Sequence, residues 1–172
     1  MMHVSESERR SVIGSLDIRP EVQNLLTQAA DYGPFTAYFS APDSFYAQGY
    51  PNNPGEWPEL ETFRLVPLWE QSGSIYCCDL NDPSCRCVVF DREFPEEHKI
   101  LSSIDTAIFE MIELHIWEYG GSEKECTESL EFAQKVLLPS IEELSKLLVY
   151  HIDCTQESID DFKSSLSQKN SP

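Results

Sequence analysis

The sequence predicts a single α+β domain, a mostly antiparallel sheet with helices packed on one face. Three observations carry that prediction. Residues 63–93, FRLVPLWEQSGSIYCCDLNDPSCRCVVFDRE, are three apolar runs divided by two stretches of turn residues. Pairing those runs as a meander lines up one nearly unbroken apolar face, as a sheet covered by helices requires. From Ile104 to Tyr119 the apolar period then changes to that of a helix.

In chain order, residues 1 to about 18 are expected to be a polar lead-in, because MMHVSESERR turns charged and polar at once. Pro20 suits a first helical position, and Val22, Leu25, Leu26 and Ala29 follow at helical spacing until Gly33 offers a stop. The five prolines from Pro34 to Pro58 prevent a long helix there. Within that span Phe35 to Ser40 is expected to form a strand beside Phe63 to Glu70. The rest is expected to be an ordered loop anchored by Phe45, Tyr46, Tyr50 and Trp57.

The strands of the meander are Phe63 to Glu70, Ile75 to Leu80 and Cys85 to Asp91. Gly73 in Gln71-Ser72-Gly73-Ser74 tolerates the positive φ of a hairpin turn, and Asn81-Asp82-Pro83-Ser84 has strong turn chemistry of its own. This register sets Trp69 opposite Tyr76, Cys78 opposite Cys87 and Asp79 opposite Arg86. It places Phe63, Leu65, Pro67, Trp69, Tyr76, Cys78, Leu80, Cys85, Cys87 and Val89 on the apolar face. The reverse face is then mixed, with Asp79 and Arg86 pairing at its wetter part. Pro67 cannot donate to a ladder, so its strand belongs at an edge or beside a bulge.

After the strands, Pro95, Glu96 and Glu97 open a turn. The helix from Ile104 to Tyr119 is capped by Ser103 or Asp105 and ended by Gly120-Gly121. A further helix is expected from about Thr127 to Leu138. Pro139 either kinks it or starts a new one with a Ser140/Glu143 capping box, and Leu144, Leu147 and Leu148 continue the apolar face. Thr155 can cap a last helix bearing Ile159 and Phe162, before a polar terminus of about 166–172 that is expected to fray. The whole chain, 1–172, reads as one domain.

Thirty acidic against 12 basic side chains give a net charge of −18. This disfavours nucleic-acid phosphates and anionic membranes and favours a basic partner, although solubility alone explains many acidic chains. Residues 93–161 hold 17 acids and four lysines, so the helical part carries most of that charge. With no basic-then-apolar opening and a longest apolar run of only Leu147 to Ile152, neither a secretory signal nor a membrane span is visible. Six cysteines without such a signal point to free thiols and a cytoplasmic location.

Catalytic and metal chemistry finds little support. Cys77, Cys78, Cys85, Cys87 and His98 are zinc-ligand types, but no CxxC knuckle exists and Cys77 and Cys78 point to opposite faces. The cysteines read better as small buried hydrophobes. His98, His115 and His151 are available as bases for a Cys or Ser nucleophile, without any motif that arranges one. No enzyme activity, metal or cofactor is expected.

The segments Leu65-Val66-Pro67-Leu68-Trp69, Gln71-Ser72-Gly73-Ser74, Ile75-Tyr76-Cys77-Cys78-Asp79 and Val88-Val89-Phe90-Asp91 with Glu93, followed by the helix Ile104 to Tyr119, resemble the core of the SUKH superfamily. That group includes bacterial toxin-immunity proteins and fungal regulators of cell-wall synthesis. The resemblance implies an α+β fold with helices against a mostly antiparallel sheet, no catalysis and a protein partner. The leading expectation is a cytoplasmic immunity protein that binds and neutralises a cognate toxin with a basic surface. The alternative is a non-catalytic adaptor with several partners. Expected contacts are Glu70, Asp79, Asp82 and Asp91, carboxylates standing in for phosphates, with Trp57 as an anchor.

Overall fold

The structure, a computed structural model, describes residues 3–28, 30–46, 58–91, 94–149 and 156–168. Strands β1 (Leu65–Gln71), β2 (Ser74–Asp79), β3 (Cys87–Asp91) and β4 (Lys99–Leu101) form one antiparallel sheet in that order. Trp69 lies opposite Tyr76 and Cys78 opposite Cys87, as the turn positions predict. Ser72 (φ 50°) and Gly73 (φ 90°) are both left-handed, which matches the twist of a two-residue hairpin. The short β4 has no counterpart in the expected meander, because its three residues are too few for an alternation and Lys99 and Ile100 are exposed.

A bulge redistributes the faces. The β1–β2 register shifts between Pro67 and Trp69, where proline withholds the N–H a regular ladder needs. Every residue before the bulge therefore changes side. Phe63 and Leu65, expected beside Trp69, instead join Ile75, Cys77, Val88 and Phe90, while Val66 and Leu68 take their place with Trp69, Tyr76, Cys78, Cys87 and Val89. The reverse face is not wet. Phe45 and Leu60 cover it and complete a second buried apolar cluster.

The helices are α1 (Glu6–Ser15), α2 (Pro20–Leu26), α3 (Asp43–Tyr46), α4 (Ile104–Tyr119), α5 (Glu123–Lys135), α6 (Ile141–Val149) and α7 (Gln156–Gln168). The expected polar lead-in is thus a helix. Ser5 and Glu8 make a capping box at its start, and Val4 and Ile13 are buried. The Val4 amide donates to Leu65 O at 3.0 Å, and the Arg9 guanidinium donates to Pro67 O at 2.7 Å, to Leu26 O at 2.9 Å and to Leu68 O. These contacts satisfy the outer edge of β1, which otherwise invites another strand. The far terminus is not wholly polar either, since Leu166 in α7 is fully buried.

Phe35 to Ser40 is not a strand. Gly33–Phe39 is a 3-10 helix that buries Phe35, Tyr38 and Phe39, and only Ser40 pairs, through a single bridge to Glu70. The three rings recur at helical rather than alternating spacing, which fits one helical face. Of the other expected helices, α2 stops at Leu26, short of Gly33, and α4 has the expected bounds. Ser103 Oγ accepts from the Thr106 amide at 3.1 Å, and Gly120 leaves α4 at φ 84°. α5 begins ahead of Thr127 because Ser122 and Glu125 form a capping box. After Pro139 a new helix starts, its Leu144 amide bonded to Ser140 O. Tyr50, Trp57 and Thr155 lie outside the described residues. A continuous core from Val4 to Leu166 joins the helices other than α3 to the Trp69 face of the sheet.

Candidate protein-binding surface

The β2–β3 turn is organised from its centre outward by Asp79. Its carboxylate is fully buried and accepts from the Arg64 amide (3.2 Å), the Asn81 amide (3.0 Å) and the Arg86 Nη2 (2.7 Å) and Nε (3.2 Å). A buried charge persists only when paired and hydrogen-bonded in this way. The expected pairing with Arg86 is therefore present, but the expected role of Asp79 as a partner contact is corrected: no surface of it reaches solvent.

Asp82 lies at the mouth of the same turn with about a quarter of its side chain exposed, 3.4 Å from Arg86. The Ser84 hydroxyl and amide donate to its carboxylate and, with the Arg86 charge, hold its pKa below the usual value. Glu70 and Asp91 belong to the other end of the sheet. Glu70 accepts the Ser44 amide at 3.0 Å, so part of its charge is spent fixing α3. Asp91 pairs in register with Ser74 beside the hairpin turn. Since β2 is six residues long, the two acidic ends stand about 17 Å apart. They do not form one cluster, and Trp57 lies outside the described residues.

A different surface has stronger interface chemistry. On α4, Trp117 is 80% exposed; Tyr119, also exposed, lies two residues on and so faces the other side of the helix. Trp117 borders a cleft of about 650 Å³ lined by Phe109, Leu114, Ile116, Leu147 and Ile159. Glu113 at this cleft pairs with Lys163 at 2.7 Å, and burial raises its pKa despite that lysine. Trp117 and Tyr119 were not among the expected contacts. Tyr119 falls on the helical apolar period of α4, and Trp117 lies off it, so the spacing marks neither as a contact.

The opposite side of α4 holds a polar network that fixes this end of the helix. The Tyr38 hydroxyl donates to Glu118 Oε2 at 2.6 Å and meets His115 Nδ1 at 3.3 Å, while His115 Nε2 lies 3.1 Å from Glu128 Oε2. The rings of Phe35 and Tyr119 complete the surroundings of His115, at 4.6 and 5.1 Å between centroids. None of these neighbours is a Ser or Cys. His98 sits edge-on to Phe63, and His151 lies outside the described residues. Cys77 faces the second cluster and Cys78 and Cys87 the main core. Among the described residues no three His, Cys, Asp or Glu side chains converge as metal ligands, and no helix is long and apolar enough to cross a membrane. No family model, curated protein or solved structure matches the chain.

Proposed function

We propose that this chain is a non-catalytic protein-binding domain of the SUKH kind, acting in the cytoplasm as an immunity protein that occludes a toxin with a basic surface. The observation that carries this reading is the meander with its acid-terminated second strand. The pattern's acid, Asp79, has a physical reason to be there, because it anchors the turn into the third strand. Neutralising a toxin by covering its active site needs no catalytic group on the binder.

The end of α4 supports the reading best as a contact surface. An exposed Trp is among the side chains that most often anchor interfaces, and Trp117 stands in the part of the chain that holds most of the −18 charge. Long-range attraction to a basic partner and a rigid aromatic anchor are complementary, the first setting the on-rate and the second the residence time. Asp82 is a further candidate contact. Co-expression with the product of the adjacent gene tests the proposal: growth rescue and a co-purifying complex are expected, and a toxic neighbour that is neither bound nor neutralised would sink it.

A further inference from the structure

The cleft beside α4 has the size and lining of a small-molecule site. Its volume of about 650 Å³ is that of a pocket for a drug-sized organic ligand. Phe109, Glu113, Trp117 and Gly120 follow one another at about one helical turn, so a single face of α4 supplies them, and Leu147 of α6 and Ile159 of α7 line the cleft from the neighbouring helices. Leu147 and Ile159 are only half-buried and Trp117 is exposed. An occupant would therefore take apolar surface out of water.

Charge selects that occupant. The ionisable groups among the described lining residues are Glu110 and Glu113, both carboxylates, which only accept hydrogen bonds when ionised. Glu110 is held by Lys99, whose ammonium donates to both of its oxygens at 2.8 and 3.0 Å. Glu113 pairs with Lys163 at 2.7 Å, yet burial still raises its pKa, so one lysine does not offset the loss of water. A carboxylate has lone pairs for several donors, and a charged donor is the strongest it can take.

We propose that the cleft is a binding site for a lipophilic amine, a small organic molecule whose apolar body lies along Phe109, Trp117, Leu147 and Ile159 and whose ammonium group donates to Glu113. The ligand shares this carboxylate with Lys163. Anionic amphiphiles are rejected by the two carboxylates in the lining, and a net charge of −18 raises the concentration of cations near the surface. The site needs no protein partner, although an amine seated there covers the same Trp117.

Titration calorimetry of the full chain with octylammonium, octanol and octanoate compares one apolar body with three head groups. Octylammonium is expected to bind about tenfold more tightly than octanol, the gain of a charge-assisted over a neutral hydrogen bond, and octanoate most weakly. Glu113→Gln should abolish the preference for octylammonium while keeping octanol binding, and Leu147→Trp, which fills the cleft from α6, should weaken both. Should either variant fail to fold by circular dichroism, the head-group series on the parent decides, together with a blue shift of tryptophan emission on titration that Trp117→Phe lacks. No saturable binding of octylammonium, equal affinity for all three head groups, or an emission shift unchanged in Trp117→Phe overturns the proposal. A toxin that is bound and neutralised while octylammonium is not bound overturns this site and leaves the proposed function standing.

Discussion

Asp79 shows how one side chain can be polar in composition and structural in use. Its carboxylate gathers donors from three parts of the chain, the Arg64 and Asn81 amides and the Arg86 guanidinium. Asp79→Ala is expected to cost about 3 kcal/mol in a urea titration, the low end for breaking a buried ion pair, because Arg86 keeps 34% of its side chain exposed. Asp82→Ala should cost under about 1 kcal/mol, as exposed pairs do. Trp117→Ala separates binding from folding. At 80% exposure its loss should leave stability within about 0.5 kcal/mol, yet weaken partner binding by about 2 kcal/mol, roughly 30-fold by calorimetry, if it is the anchor. An unchanged affinity would remove the α4 surface from the proposal.

At the scale of an element, the ends of helices carry their own free energy. Gly120 closes α4 at φ 84°, and a Cβ added there meets nothing within 4 Å. The cost of Gly120→Ala is therefore backbone strain rather than a clash. About 1 kcal/mol is expected, with Gly120→Asn milder because asparagine tolerates the left-handed region. The capping boxes of α1 and α5 predict a pH dependence. Hydrogen bonds from Ser5 to Glu8 and from Ser122 to Glu125 hold both carboxylates below the ordinary value of 4.5. An acid with a lowered native pKa contributes stability above its unfolded value and loses it as pH falls through the native one. Urea midpoints measured from pH 6 down to pH 3 should therefore fall less steeply in Ser5→Ala and Ser122→Ala than in the parent, and parallel curves would refute the capping role. The Ser5/Glu8 and Ser122/Glu125 spacings stand in the sequence, yet the capping box expected from it is Ser140/Glu143 alone. What hid α1 was its sparse apolar content, since one buried Ile13 makes no periodic stripe.

For the whole molecule the test is salt. A basic partner drawn to a chain of net charge −18 should associate more slowly as the Debye length contracts from about 10 Å at 0.1 M to about 3 Å at 1 M, with dissociation changing less. Asp82→Asn should lower the on-rate and flatten its salt dependence if the β2–β3 turn lies in the interface, while Glu157→Gln at the exposed start of α7 should do little. Stopped-flow association across that salt range distinguishes the cases. A flat on-rate would assign the charge to solubility and recognition to apolar contact.

Local chemistry determined the meander, its two turns, the cross-strand partners near those turns and the bounds of α4. Each rests on neighbours in sequence: a glycine free to take positive φ, a serine one residue before a helix, apolar residues at a fixed period. Tertiary structure decided which face each residue before Pro67 occupies, because one bulge reverses a strand's alternation and only packing against Phe45 and Leu60 makes the reversed side dry. It also decided that Phe35, Tyr38 and Phe39 coil rather than extend, and that Asp79 is buried while Trp117 is bare. Exposure depends on what the remainder of the chain covers, and a residue's type and spacing do not contain that information.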